Sequence, residues 1–380
     1  MSKKPLVNRK MWNLASISII GVIVVAMLGC AWVQKVLNFD AGLGGSSSSE
    51  PEVAVEDDST TNGQSAITVY FTDPDGSSQT AKRSPVLLET VAAIENAQTS
   101  IELAIYDINI REITSALINA HQRGVQVRIV TESENYGDGT MAELADAGIV
   151  VEQDKGNDGL MHNKFMVVDG QVVFTGSWNM NFGALRYDYN DWIKIQSPTL
   201  AANYQAEFNE MFDKGIFGAG SQTDNPRLQI GDVLVENYFA PDDGVAQRIV
   251  EYIAQAKNSI HFLAFSFTHR EIAQAMLAQY ENGLVLKGVI ETRTVEDGQS
   301  AAWEIFTHAE APVLLDGLAD STLHEKMIIL DSETIITGSF NFTNSANNRN
   351  DENVLIIHDK SLALQFLNEF DGAWRIAGGE

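Results

Sequence analysis

The chain is one unit written twice. Ile101-Glu-Leu-Ala-Ile-Tyr-Asp107 matches Ile260-His-Phe-Leu-Ala-Phe-Ser266. Arg111-Glu112-Ile113 matches Arg270-Glu271-Ile272, and Gly124 matches Gly283. These pairs share one separation. Further on, His162 matches His324, and Phe208 with Phe212 matches Phe370 with Trp374, at a slightly larger one. A near-constant separation of about 160 residues, with one small insertion, argues duplication of a whole domain and excludes a short-period solenoid.

Both copies read in the same order. Leu87, Val91 and Ile94 in copy one, and Val245, Ile249, Ile253 and Ala256 in copy two, recur at helical spacing. A strand follows at 101–107 or 260–266. Next comes a helix that stops at Gly124 or Gly283, residues suited to a left-handed cap. Strands are predicted at 125–131 and 284–290, short helices at 140–147 and 299–308, and strands at 149–152 and 312–315. A closing helix is predicted near 198–214 and 359–375. Strands alternating with helices predict an α/β fold, with a mostly parallel sheet covered by helices in each copy. Copy one is placed at 66–220 and copy two at 228–380. Residues 216–230, with several Gly and Pro226, read as the joint.

The region ahead of the repeat is different. Residues 1–39 hold Lys3, Lys4, Arg9, Lys10 and Lys35 and no acid, and no charge lies between Leu14 and Val33. Twenty apolar residues in a helix span roughly 30 Å, the thickness of a bilayer core. Trp12 and Trp32 stand near the two ends, where indoles favour the interface. Residues 1–35 therefore read as an uncleaved signal anchor, or as a lipoprotein signal in which Met27-Leu28-Gly29-Cys30 supplies the acylated cysteine. The anchor is preferred, because the apolar run continues past Cys30. Either reading holds the body at the outer face of the cell membrane. Residues 36–65, small, polar and acidic after Ala41, read as a flexible linker.

Net charge is −26 although the first residues are basic, so the body is strongly acidic. Such a surface repels nucleic-acid phosphate at long range. Cys30 is the only cysteine, which excludes an intrachain disulfide and a cysteine zinc cluster. No glycine-rich loop ending in Lys-Ser/Thr is present, so a nucleoside triphosphatase is disfavoured.

One motif occurs in both copies with identical internal spacing. Copy one has His162-Asn-Lys164, then Asp169, then Gly176-Ser177-Trp-Asn179. Copy two has His324-Glu-Lys326, then Asp331, then Gly338-Ser339-Phe-Asn341. The segments after each lysine are strand-like, so His162 and Lys164, two apart, should point together, as should His324 and Lys326. Asp169-Gly170 and Asp331-Ser332 fall where a tight turn is needed. The returning strands bring Ser177, Asn179, Ser339 and Asn341 back beside the His-Lys pairs. A lone His-x-Lys pair on a strand is usually without function; two in register inside a repeat are a constellation.

The residue types suit phosphodiester chemistry. Two lysines and two asparagines can hold the non-bridging oxygens of a phosphodiester without a metal. Histidine titrates near neutrality, so one can attack as the free base while its partner donates a proton to the leaving oxygen. A covalent intermediate divides one hard step into two. Ser177 and Ser339 read as supporting residues. Asp169 and Asp331 read as turn and hydrogen-bonding residues rather than proton carriers. His121, His261, His269, His308 and His358 read as surface or structural, and Trp178, Trp192, Trp303 and Trp374 as core.

The doubled pattern resembles that of the phospholipase D superfamily, over roughly residues 66–376. The resemblance implies two tandem α/β domains related by a pseudo-two-fold axis within a monomer. It implies a phosphohistidine intermediate, and neither cofactor nor metal. Its catalytic set would be His162, Lys164, Asp169, His324, Lys326 and Asp331, with His162 as nucleophile and His324 as acid and base. An acid after the second Gly-Ser-x-Asn block orients the opposing histidine in that family, which fits Glu352. The matched position in copy one is Asn190, so the two histidines should differ in basicity. The expected function is hydrolysis of a phospholipid phosphodiester. The alternatives are an extracytoplasmic DNA or RNA endonuclease of the same mechanism, or a transferase of the cardiolipin-synthase kind. A binding protein without activity is disfavoured by complete motifs in both copies.

Overall fold

The computed structural model describes residues 54–55 and 65–380, apart from 138, 157 and 299. The expected membrane segment 1–35 and most of the linker 36–65 lie outside the described residues. Among the described residues, no helix is long and apolar enough to cross a membrane. Both copies lie within one compact unit, Pro51–Glu380.

Copy one builds a seven-stranded sheet. Its spatial order is Ile67–Phe71, Asp191–Gln196, Val172–Gly176, Lys164–Val168, Ser100–Ile105, Gln126–Thr131 and Val150–Gln153. Copy two repeats this order from Val233–Ala240 to Val313–Leu315. Its sheet has nine strands because Arg227–Ile230 and Ala54–Val55 extend the edge. Ala54–Val55, within the expected linker, pairs in parallel with Leu228 and Gln229. Arg227–Ile230, within the expected joint, is a strand paired antiparallel with Val233–Ala240.

The expectation of a mostly parallel sheet is corrected. In copy one only Ser100–Ile105, Gln126–Thr131 and Val150–Gln153 run parallel to one another; every other pairing is antiparallel. The motif hairpin is one cause. Asp169 and Gly170 have φ of 54 and 62, and Asp331 and Ser332 have φ of 55 and 56. Two consecutive left-handed residues make the tight turn whose twist matches an antiparallel hairpin. The turn closes with Gln171 N–H donating to Val168 O, and with Glu333 N–H donating to Leu330 O. The second cause is that the chain returns again after the motif, through Asp191–Gln196 and Glu352–His358.

The helices follow the expected periodicity. Val245–Gln255 buries Val245, Ala246, Ile249 and Ile253. Gly124 and Gly283, at φ of 94 and 97, end the helices before them as expected. The outer face of each sheet has its own apolar core, one around Ile113, Leu117 and Trp178 and the other around Ile272, Phe306 and Phe340. A third core joins the copies. It contains Phe165 and Met327 from the motif strands, with Tyr204, Phe208, Phe366 and Phe370 from the closing helices Pro198–Lys214 and Lys360–Ile376. Burial of these aromatic rings on a shared surface fixes the two sheets against each other, and the site forms where they meet.

Candidate active site

The segment ahead of each motif strand crosses to the other copy. His162 N–H donates to Asp351 O at 3.1 Å, and Asp351 N–H to Leu160 O at 2.9 Å. In mirror fashion Thr322 and Leu323 pair with Asp188 and Tyr189, and His324 N–H donates to Tyr189 O at 3.1 Å. Each histidine thus meets a residue at the start of the other copy's last strand, Glu352 as its first residue and Asn190 as the residue just before Asp191–Gln196. Glu352 receives His162 Nδ1 through both carboxylate oxygens, at 2.9 and 2.8 Å. Asn190 Oδ1 receives His324 Nδ1 at 2.8 Å. Glu352, expected to orient the opposing histidine, and Asn190, its matched position, thus each reach a histidine across the pseudo-two-fold axis. With Nδ1 committed, each ring presents Nε2.

The glycine of each Gly-Ser-x-Asn block has a steric reason. Gly176 and Gly338 have φ of 155 and 144. A Cβ there would lie 2.4 Å from Asp191 O or 2.3 Å from Asn353 O, on the neighbouring crossing strand. That approach lets the next residue support the orienting group: Ser177 Oγ donates to Asn190 Oδ1 at 3.0 Å, and Ser339 Oγ to Glu352 Oε2 at 2.6 Å. Both serines, expected as supporting residues, thus bond the groups that face the histidines. Asn179 and Asn341 follow, each with a buried Oδ1 that has no partner among the described residues.

Lys164 and Lys326 are buried in the same place. Lys164 Nζ donates to His162 O at 2.8 Å, and Lys326 Nζ to His324 O at 2.5 Å. Burial pulls Lys164 down to about 7, against the opposing pull of Glu352 and Asp107. Burial and then Lys164 push Lys326 well below its ordinary value. His162 is lowered by burial, and the Glu352 carboxylate opposes that shift. His324 is lowered further, by burial and then by Lys326 and Lys164, with no carboxylate among the groups opposing it. The exchange of Glu for Asn therefore makes His162 the more basic of the pair.

Asp169 and Asp331, expected in the catalytic set, lie apart from this group at the two hairpin turns. Asp169 receives backbone N–H donors from Gln98, Thr99 and Ser100. Asp331 receives those of Lys257, Asn258 and Ser259. Each carboxylate ties its hairpin to the start of the strand Ser100–Ile105 or Ser259–Ala264, and these bonds hold its pKa below the ordinary value despite partial burial.

Two residues escaped the sequence reading. The Tyr106 ring stands edge-on to His162 at 5.2 Å between centroids, and the Phe265 ring is tilted against His324 at 4.8 Å. Lys164 Nζ and Lys326 Nζ lie 5.2 and 4.9 Å from those same ring centroids. The signal was present, since both occupy matched positions in the repeat, but an aromatic at a strand end usually means core. Asp191, buried and receiving Thr337 Oγ1 at 2.8 Å, was also unforeseen. Among the described residues, no group of three or more His, Cys, Asp or Glu is placed to hold a metal.

Comparison with known proteins finds the same family domain in both copies. The family described as "Cardiolipin synthase, PLD-like domain" matches residues 90–212 and 249–374, one stretch in each copy. A phospholipase D of Rickettsia prowazekii is 32% identical over 136 residues, which cover 36% of this chain and 65% of that protein. A mitochondrial cardiolipin hydrolase of Xenopus laevis is 32% identical over 120 residues, 31% of this chain and 57% of that protein. The matches thus span less than two thirds of those relatives. The solved phosphatidylserine synthase of Haemophilus influenzae superposes with a TM-score of 0.61 over 83% of this chain and 87% of its own, at 16% identity, a likeness of fold. The doubled family match, together with paired His-x-Lys motifs that meet at one site, shows that the chain belongs to the phospholipase D superfamily, with its PLD-like domain present twice.

Proposed function

We propose that this protein cleaves phospholipid phosphodiesters through a phosphohistidine on His162, with His324 as acid and then base. The observation that carries the reading is the unequal pairing of the histidines, His162 on a buried carboxylate and His324 on an amide. His162 Nε2 attacks phosphorus, and the Glu352 charge stabilises the imidazole as it turns cationic. His324 gives a proton to the leaving alcohol oxygen. It then takes one from the incoming water or alcohol, whose oxygen displaces His162. Lys164 and Lys326, costly to keep charged in an empty buried site, gain an anionic partner when phosphate arrives.

Three observations favour a lipid over a nucleic acid. The chain carries −26, and non-specific nucleic-acid affinity comes mainly from Lys and Arg on phosphates. His162 and His324 are each only 8% exposed, which suits a slender head group better than a duplex. Relatives named phospholipase D and cardiolipin hydrolase match about a third of the chain each. The apolar segment within residues 1–35, as an anchor or a lipoprotein signal, would keep the enzyme at the outer face of its substrate membrane. Both halves of the site come from one chain, so a monomer suffices.

The test uses the full chain in detergent with phosphatidylcholine vesicles and, separately, single- and double-stranded DNA. The expected result is release of phosphatidic acid, lost in His162→Ala and His324→Ala, with a phosphatidyl group trapped on His162 when the reaction is quenched. DNA cleavage without lipid cleavage, or an adduct on His324, would overturn the proposal.

A further inference from the structure

The two copies close on each other differently at matched places. On the copy-one side, the fully buried Asn163 lies between His162 and Lys164 in the chain, and its Oδ1 receives Asn353 Nδ2 of copy two at 2.9 Å. Asn353 Oδ1 in turn receives Thr175 Oγ1 at 2.6 Å and the Tyr204 hydroxyl at 3.3 Å. Three side chains of copy one are thus bonded to one amide of copy two. On the copy-two side, Glu325 stands for Asn163, Asp191 for Asn353, Thr337 for Thr175 and Phe366 for Tyr204. Thr337 Oγ1 still donates, to Asp191 Oδ2 at 2.8 Å. The tyrosine hydroxyl is gone, and the amide pair has become two carboxyl groups, both fully buried. Neither oxygen of Glu325 has a partner among the described residues. Two carboxylates cannot replace an amide pair, because neither has a proton to donate; a neutral carboxyl beside a carboxylate can.

We infer that Glu325 is a positioning residue: its proton-bearing form closes the junction of the copies behind His324 and Lys326, and loss of that proton to solvent loosens the junction and lowers turnover. The inference rests on the proposed function only where it concerns turnover. Asp191 is the better anion of the two, since it receives Ser177 N–H as well as the Thr337 hydroxyl, so the proton belongs to Glu325. The surroundings of Glu325 oppose its charge. Burial, then Glu369 from the closing helix Lys360–Ile376 and Asp191 from Asp191–Gln196, raise its pKa well above the ordinary value. Asp73, just beyond Ile67–Phe71, acts on Glu369, and the Tyr189 hydroxyl feels Glu369, Asp73, Glu325 and Asp316. Lys326 pulls the other way, but its ammonium donates to His324 O. The backbone joins Glu325 to the site. Its carbonyl receives Phe265 N–H at 3.0 Å, and the Phe265 ring packs on His324. His324 N–H, one residue back, crosses to Tyr189 O of copy one at 3.1 Å. Repulsion that displaces Glu325 therefore displaces the acid–base histidine, its ring partner and Lys326. A carboxyl raised in the folded state stabilises at low pH and ceases to do so as pH climbs, so the junction is firm in acid and weakened in alkali.

The test follows kcat/KM of the full chain in detergent on a soluble phosphodiester, from about pH 5.5 to about pH 9, in wild type and Glu325→Gln. Amide hydrogen exchange is measured at both ends of that range. Glutamine carries a fixed donor in place of the proton. The alkaline limb of Glu325→Gln is expected about one pH unit or more above that of wild type, roughly a tenfold advantage in kcat/KM in alkali. Removal of a nearby negative charge would instead lower the His324 pKa and bring that limb down, so an upward shift marks positioning. The amides of Phe265 and His324 are expected to exchange about tenfold faster in wild type than in Glu325→Gln in alkali, and equally in acid. Glu325→Asn, which places the copy-one residue there, carries the same expectations if Glu325→Gln does not fold. A coincident or lowered alkaline limb, or equal exchange in alkali, overturns the inference. Turnover by neither protein at any pH overturns the proposed function, and the exchange comparison then decides the role of Glu325 by itself.

Discussion

Replacing Glu352 by Gln keeps the size of the side chain and removes the charge facing His162. Glu352 is fully buried, and its two oxygens receive His162 Nδ1, Ser339 Oγ and Asn350 Nδ2. Hydrogen bonds to a charged group contribute about 1.5–3 kcal/mol, against roughly 0.5–1.5 for neutral ones. The difference, about 1–2 kcal/mol, is felt when His162 turns cationic on bonding to phosphorus, and corresponds to roughly a 5- to 30-fold loss of kcat/KM. The pH profile should also move. Burial is the main influence lowering the His162 pKa, and Glu352 is the leading group that opposes it. Without the charge the pKa falls further, so the limb of the profile that follows His162 shifts to lower pH. The assay is kcat/KM on a soluble phosphodiester across pH, with circular dichroism to show that the fold persists. A folded Glu352→Gln variant with kcat/KM within about twofold of wild type and an unmoved or upward-shifted profile would refute the reasoning.

Three further outcomes are expected. Asp169→Ala removes three backbone hydrogen bonds at a hairpin with positive φ, and should cost about 1–3 kcal/mol in urea denaturation while the folded enzyme still turns over; a folded, inactive variant would return Asp169 to the catalytic set. Burial, with Asp73 and Asp191, raises Glu369 to about 7 from 4.5. A carboxyl raised in the folded state contributes stability at low pH that is lost as pH climbs to the folded value, so Tm should fall between about pH 4.5 and 7. Glu325, buried with both oxygens unpartnered among the described residues and raised by burial and then by Glu369 and Asp191, adds to the same trend. Glu325→Gln should raise Tm above about pH 7, and a lowered Tm there would mean that its charge stabilises the fold. Finally, hydrolysis should persist in a chelator, since Lys164 and Lys326 supply the cations; loss of activity restored by added zinc or calcium would show a site of another kind.

The sequence by itself determined that the fold is double and singled out His162, Lys164, His324 and Lys326 as the candidate site. Both facts are local patterns written twice, and a matched spacing needs no coordinates to be seen. It also foretold the Asp169-Gly170 and Asp331-Ser332 turns, because left-handed backbone favours few residue types. It did not reveal that those turns make most of each sheet antiparallel, since strand direction is settled by which neighbour each strand finds. Resemblance, and no contact visible in the sequence, pointed to Glu352 beside His162. Only the tertiary structure showed how the pair is made, with the segment before His162 laid against Asp351 of the other copy, and Asn190 brought in the same way to His324. Tyr106 and Phe265 were illegible for a related reason. Each is an ordinary residue until two copies, held together by Phe165, Met327 and the aromatic rings of the closing helices, set it against a histidine. Pattern along the chain records what each copy carries; what faces what is decided by burial between distant segments, which sequence spacing does not encode.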